Sequence, residues 1–209
     1  MDQGKLAANI FNKYAEHYQE KFMDVSLYHN SFDFFCRAIK KRNASVLELA
    51  CGPGNITKYL LHTRGDLKIF GIDLAPNMIT LARQNNPAAE FEVMDCREIK
   101  NLSKTFDAVM CGFCLPYISK EETLKLFSDS AELLNPEGVI YLSTMEDNYS
   151  ESGFRKGSQG DEIFMHYYLE NDLVPMLTEN NFRIEKVERV HSEMTDGTKV
   201  VDLIIIARK

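Results

Sequence analysis

Small residues and carboxylates follow the ends of two consecutive apolar segments. Residues 46–49 run into a turn that contains Gly52 and Gly54, and residues 69–72 end at Asp73, nineteen positions after Gly54. Glycines let a ligand approach the backbone closely, and the start of the following helix offers unpaired N–H groups to an anion. A carboxylate at the second strand end can accept hydrogen bonds from both hydroxyls of a ribose. The spacing therefore predicts a site for a nucleoside of the adenosine type.

This turn lies within an alternation of short apolar strands and helices. The predicted strands cover 45–50, 67–72, 90–94, 106–111 and 138–143, and the predicted helices lie near 55–62, 76–84 and 120–134. Such an order is typical of a parallel sheet covered by helices on both faces. Two later β-rich segments, 182–190 and 199–207, flank the turn pair Asp196-Gly197 and predict a C-terminal antiparallel hairpin. The fold class is thus α/β, with a mixed sheet.

The segments outside this alternation differ in character. Residues 1–44 have apolar side chains at helical spacing and predict an N-terminal helical cap. Residues 144–168 include a polar stretch with glycine and serine, which predicts a lid or a substrate-side insertion. We find neither a linker nor an internal repeat, so residues 1–209 are expected to form a single domain.

Charge and composition restrict the class of partner. The chain has 209 residues and a formal net charge of -7, so a nucleic-acid surface would be repelled. It has neither an apolar run long enough to span a bilayer nor the continuous apolar region of a secretory signal. Its 5 cysteines are odd in number and lie mostly in apolar segments, which favours reduced thiols. We expect a cytoplasmic protein that binds neither nucleic acid nor membranes.

Five motifs in order resemble those of the class I S-adenosylmethionine-dependent methyltransferases. The matching stretches are Glu48 to Gly54, the segment around Asp73, the segment ending at Asp95-Cys96, residues 106–113 and residues 133–138. Ala50 stands where many members have glycine, a small change that affects the details of the turn. The resemblance implies a Rossmann-like mixed seven-stranded sheet, S-adenosylmethionine as cofactor, and methyl transfer to a small-molecule acceptor.

The resemblance also implies the residues that contact the cofactor. Ala50, Gly52 and Gly54 would line the methionine and ribose, Glu48 would face the ammonium, and Asp73 would bind the ribose. Leu74 and Met78 would cover the adenine, with Asp95 and Cys96 at its edge. The remaining expected contacts are Cys51, Asn55, Cys111, Tyr14 and Tyr18. Tyr14 and Tyr18 share one helical face, so an aromatic pair packed in the core is the alternative interpretation for both.

Three residues are candidates for acceptor binding or proton removal. His166 follows the polar stretch of the predicted lid, Tyr117 lies just beyond the fourth strand, and Tyr14 lies in the cap. A sulfonium methyl group is already electrophilic, so the principal task is to align the acceptor in line with the methyl–sulfur bond. A general base is needed only for some acceptors, such as alcohols or protonated amines.

Other functions share parts of this pattern. An NAD-dependent oxidoreductase is the main alternative, although its third glycine position is Thr57 here. A nucleoside-binding protein without catalysis is another. The Cys111-Gly112-Phe113-Cys114 spacing also occurs in redox and zinc motifs, but the sequence has no second cysteine pair or suitable histidine pair, so we predict no metal site.

Overall fold

The computed structural model describes residues 2–157, 159–193 and 197–209. A seven-stranded sheet has the order β3-β2-β1-β4-β5-β9-β8, and β6 and β7 form a separate two-stranded sheet. The strands are β1 (Ser45–Leu49), β2 (Lys68–Asp73), β3 (Glu90–Val93), β4 (Phe106–Gly112), β5 (Leu134–Met145), β6 (Gly153–Lys156), β7 (Glu162–Met165), β8 (Arg183–Glu193) and β9 (Lys199–Arg208).

The large sheet is mixed. Its first five strands are parallel, whereas β9 pairs antiparallel with both β5 and β8. The predicted mixed sheet and C-terminal hairpin are therefore confirmed. Asp196 of the predicted turn lies outside the described residues.

Helices cover both faces of this sheet. They are α1 (Gln3–Lys13), α2 (Ala15–Phe22), α3 (His29–Ala38), α4 (Asn55–Thr63), α5 (Pro76–Asn85), α6 (Lys120–Leu133) and α7 (Glu170–Glu179). Successive strand residues alternate between two buried clusters: Val109 packs with the cluster containing α6 and α7, and Met110 packs with the cluster containing α3 and α4. This alternation explains why the central strands are apolar throughout.

Local sequence signals set several helix boundaries. Gly54 adopts a φ of 80° immediately before α4, a left-handed conformation that favours glycine. A capping box formed by Ser119 and Glu122 begins α6. In the cap, the helical pattern is broken between α1 and α2 at Tyr14, whose φ is -112°. Among the described residues, no helix combines the length and the apolar character needed to cross a membrane.

The predicted lid contains regular structure that the sequence pattern did not reveal. Within residues 144–168, β6 and β7 pair antiparallel from Gly153–Met165 to Lys156–Glu162. Both strands have 4 residues, too few for a clear alternation of apolar and polar side chains. The Tyr14 hydroxyl donates a 2.6 Å hydrogen bond to Asp161, which directly precedes β7. The hairpin is thereby tied to the N-terminal helices.

Candidate functional site

A cavity lies where β1, β2, β3 and β4 end, and α1 covers it. Its lining comes from the loops that follow these strands and from the cap. The lining residues are Gly4, Ala7, Ala8, Phe11, Tyr18, Ala50, Gly52, Asp73, Leu74, Met78, Met94, Asp95, Cys96, Arg97, Gly112, Phe113, Cys114, Tyr117 and Ile118. The carboxyl ends of parallel strands are the usual ligand-binding edge of such sheets.

The loop after β1 brings backbone to the cavity wall. Ala50 and Gly52 have φ values of 51° and 54°. A Cβ placed on Gly52 would have Tyr18 Cε1 as its nearest heavy atom, at 3.8 Å. The same construction on Gly54 would place the new atom 2.3 Å from Asn86 Nδ2. Gly52 therefore leaves room for a ligand, whereas Gly54 allows the loop to pack against the end of α5.

Asp73 joins the first two strand ends. Its carboxylate accepts a 2.9 Å hydrogen bond from the Gly52 N–H and a 2.8 Å hydrogen bond from the Ala75 N–H. Burial raises the pKa of Asp73, an effect that these backbone donors oppose. The carboxylate lines the cavity and has further lone pairs, so it can accept hydrogen bonds from a ligand's hydroxyl groups.

Asp95, which also lines the cavity, is held in place by Arg97. Arg97 donates to Asp95 through Nε and Nη2, and its guanidinium also contacts Asp2 and Glu122. Burial raises the pKa of Asp95, but the hydrogen bonds from Arg97 outweigh it, and the net pKa lies below its usual value. The Arg97 hydrogen bond likewise lowers the pKa of Asp2 to about 2. This network attaches the start of α1 to the cavity.

Three aromatic side chains belong to the walls of both this cavity and a second one. The Phe11 ring lies 5.6 Å from the Tyr18 ring and 5.0 Å from the Tyr117 ring, edge to face. All three residues line both cavities. The second cavity, of about 320 Å³, lies between the N-terminal helices and the β6–β7 hairpin. The two cavities therefore adjoin at these three residues.

The cavity brings together 8 of the expected cofactor residues: Ala50, Gly52, Asp73, Leu74, Met78, Asp95, Cys96 and Tyr18. The expected residues that lie outside its lining are Glu48, Cys51, Gly54, Asn55, Cys111 and Tyr14. Cys51 and Cys111 are buried among apolar side chains. Asn55 donates a 2.8 Å hydrogen bond from its side chain to the Phe22 carbonyl.

Glu48 is buried and accepts a hydrogen bond from the Thr57 hydroxyl through Oε2. Its Oε1 has no hydrogen-bond partner among the described residues. Burial raises the pKa of Glu48 to about 7. Thr57, at the position where a dinucleotide fingerprint has its third glycine, therefore serves to bind a buried carboxyl group.

The three catalytic candidates lie in different places. Tyr117 lines both cavities, and Tyr14 lines only the second. His166 is absent from both linings; it is buried, its Nδ1 lies 3.3 Å from the Tyr149 hydroxyl, and its ring contacts Phe164. Burial lowers the pKa of His166. The structure thus separates His166 from the other two candidates.

Several lining residues were missed at the sequence level. Gly4, Ala7, Ala8 and Phe11 come from α1, whose only signal was helical spacing. Arg97 was missed because it also contacts Asp2, 95 positions away, in addition to its near neighbour Asp95. Gly112 and Phe113 lay within a motif but were not singled out as contacts.

The two cysteines of the Cys111–Cys114 motif are packed in the protein interior. Cys111 and Cys114 are buried and free, and Cys114 Sγ lies 3.5 Å from Cys96 Sγ. The pKa of Cys114 is raised, by the hydrogen bond with Cys111 first and also by burial. A raised pKa disfavours the nucleophilic thiolate of redox enzymes. Within the described ranges, no group of three or more histidine, cysteine or acidic residues is arranged to hold a metal ion.

Comparison with known proteins bears on this geometry. Residues 46–138, which span β1 to the start of β5 and include the loops that line the cavity, match the family model described as a methyltransferase domain. This part of the chain is therefore similar to a methyltransferase domain. Trans-aconitate 2-methyltransferase of Escherichia fergusonii is 34% identical to it over 106 residues, covering 51% of this chain and 40% of that enzyme. The chain thus spans less than half the length of that relative.

Solved structures share the fold of the methyltransferase domain over a longer stretch. A methyltransferase from Methanosarcina mazei superimposes with a TM-score of 0.71 at 22% identity, covering 84% of this chain and 96% of that one. The magnesium protoporphyrin IX methyltransferase of Synechocystis, with bound S-adenosylmethionine, gives a TM-score of 0.74 at 16% identity, covering 100% and 98%. These similarities establish the Rossmann-like methyltransferase fold of the whole sheet.

Proposed function

We propose that this protein transfers a methyl group from S-adenosylmethionine to a small-molecule acceptor by in-line displacement. The observation that carries this proposal is the Asp73 carboxylate, which lines the cavity while accepting the Gly52 N–H. It supports a site where ribose hydroxyls bind next to a backbone turn. The cofactor supplies an electrophilic methyl group when it is bound.

The residues of the first cavity fit the parts of an adenosyl group. Asp73 would bind the ribose, while Leu74 and Met78 provide apolar surface for the adenine. The Asp95 carboxylate, held in place by Arg97, would accept from the adenine amine. Ala50 and Gly52 leave the backbone accessible to the methionine portion. Glu48 would act on the ammonium only indirectly, because it does not line the cavity.

The second cavity provides the space for the acceptor. It adjoins the first at Phe11, Tyr18 and Tyr117, so these rings would orient the acceptor and exclude water. Correct alignment can lower the activation barrier by about 7–11 kcal/mol without a dedicated base. Tyr117 is our candidate for contact with the acceptor, and Tyr14 would act by holding the hairpin through Asp161.

The borders of the second cavity and the net charge of the chain favour a small acceptor over a macromolecule. The second cavity is bordered by the cap, residues 1–44, and by the segment 144–168, which we propose acts as its lid. A net charge of -7 disfavours nucleic acid as substrate. We propose that the chain, 1–209, works as one domain in the cytoplasm, away from membranes.

Calorimetric titration tests the cofactor directly. We expect S-adenosylmethionine and S-adenosylhomocysteine to bind, and NAD not to bind. Binding of NAD without binding of either sulfur nucleoside would favour an oxidoreductase and refute the proposal. Formation of S-adenosylhomocysteine in the presence of a metabolite panel then separates an enzyme from a nucleoside-binding protein without catalysis.

A further inference from the structure

The charge of the second cavity differs from that of the protein as a whole. Among the described residues, its lining contains three cationic side chains, Lys21, Arg155 and Lys156, and one carboxylate, Asp161. The protein as a whole has a formal net charge of -7. An excess of positive charge at this cavity therefore reflects a local arrangement of residues.

The single carboxylate is already engaged. Asp161 accepts a hydrogen bond from the Tyr14 hydroxyl and lies 3.5 Å from Lys13 Nζ. In the part of the chain that the structure describes, Lys21, Arg155 and Lys156 form no ion pair with a carboxylate. The Arg155 guanidinium donates hydrogen bonds to the Glu151 and Phe154 carbonyls, which leave its charge unneutralised, so the positive charge of the lining remains to attract an anionic ligand.

The cationic and apolar parts of the cavity are separate. Lys21, Arg155 and Lys156 are exposed, lie on α2 and β6, and line the second cavity but not the first. The residues that line both cavities, Phe11, Tyr18 and Tyr117, are half-buried and aromatic. A ligand that satisfies both parts has an apolar body with a negative charge at its outer end.

We infer that the methyl acceptor is an amphipathic organic acid whose accepting atom is remote from its anionic group. This inference rests on the proposed function, because the rings between the cavities would face the accepting atom. Lys21, Arg155 and Lys156 would bind the anion, and the apolar lining would hold the body between the two ends. The arrangement disfavours methylation of the anionic group itself.

Three probes with one phenolic body test the inference: 4-(4-hydroxyphenyl)butanoate, its primary amide, and the corresponding butylamine. Each is titrated into the full chain by calorimetry, with and without S-adenosylhomocysteine. We expect the acid to bind about tenfold more tightly than the amide, as several modest exposed charge interactions together can provide. The amine should bind most weakly. Equal or tighter binding of the amide or the amine, or no binding of any probe up to about 10 mM, overturns the inference.

Removal of positive charge from the lining of the second cavity provides a second test of the inference. In the double variant Lys21→Gln/Lys156→Gln, the preference for the acid should fall to about twofold, since two of the three cations are lost. The matched control Lys58→Gln/Lys68→Gln removes two exposed cations that do not line the cavity, and it should keep the preference. An unchanged preference in the first variant overturns the inference.

The two proposals can fail separately. If S-adenosylhomocysteine does not bind but the free protein prefers the acid, methyl transfer is refuted and the anion site stands. If S-adenosylhomocysteine binds but the acid is not preferred, the inference alone is refuted.

Discussion

The Asp73 carboxylate accepts the Gly52 N–H at a distance of 2.9 Å, and this contact links the ends of the two adjacent strands β1 and β2. The same carboxylate accepts the Ala75 N–H at 2.8 Å, just before α5. One side chain therefore fixes the loop that forms the cavity wall and also faces the cavity. We propose that this single residue combines a structural role with a binding role.

Replacement of Asp73 should weaken cofactor binding. We expect Asp73→Ala to raise the dissociation constant of S-adenosylhomocysteine by the equivalent of roughly 1.5–3 kcal/mol, because hydrogen bonds to a charged group are lost. Calorimetry on protein shown to be folded by circular dichroism measures this change. Glu92→Ala, which removes an exposed carboxylate on the neighbouring strand β3, is the control. An Asp73 variant that binds like the control would rule out the proposed role.

The protein should be more stable with glycine in place of Ala50. Its φ of 51° lies in the left-handed region, which costs an alanine roughly 1–2 kcal/mol, while glycine loses part of that gain through the greater entropy of its unfolded chain. We expect Ala50→Gly to raise the free energy of unfolding by up to about 1 kcal/mol. Urea denaturation measures it. Ala131→Gly, within helix α6, should have the opposite sign, and destabilisation by both variants would contradict the argument.

The sequence predicted the central sheet well for a physical reason. Strands that are buried on both faces are apolar throughout, and Gly and Pro mark their ends, so β1, β2 and β4 begin and end within two residues of the predictions. The same local signals identified Gly52 and Asp73, because both lie close to the ends of such strands. Local chemistry therefore defined the part of the site that the sheet itself provides.

The covering elements depend on contacts between distant parts of the chain. Arg97 contacts Asp2 across 95 positions, and Tyr14 contacts Asp161 across 147. Neither pair leaves a periodic pattern in the sequence. Glu48 illustrates the same limit, because its position in a motif suggested contact with the cofactor while its actual partner, Thr57, became evident only from the packing of α4 on β1.

Glu48 should make stability depend on pH. Burial raises its pKa from 4.5 to about 7 in the folded protein, so the folded state binds more protons than the unfolded state between these values. Stability is then greatest below the unfolded pKa and falls as pH rises through the folded pKa. Relative to Glu48→Gln, the wild-type protein should lose about 3 kcal/mol of stability between pH 4.5 and pH 8.

Urea denaturation of both proteins across this range measures the difference. Glu90→Gln, at an exposed position of β3, controls for the loss of one carboxylate. A constant difference between wild type and Glu48→Gln would show that Glu48 keeps an ordinary pKa.

The Tyr14 hydroxyl should restrain the β6–β7 hairpin. It donates a 2.6 Å hydrogen bond to Asp161 and thereby joins the junction of α1 and α2 to the hairpin that borders the second cavity. Tyr14→Phe removes this bond and leaves the ring in place, so we expect faster amide hydrogen exchange in residues 153–165 with a loss of about 1 kcal/mol or less in global stability.

Tyr59→Phe is a matched control, because the Tyr59 hydroxyl donates a 2.7 Å hydrogen bond to Asp33 between α4 and α3. It should leave exchange in the hairpin unchanged. If Tyr14→Phe and Tyr59→Phe give the same hairpin exchange, Asp161 does not depend on Tyr14 and the hairpin is held by its other contacts, such as the 3.1 Å approach of Gln159 to His17.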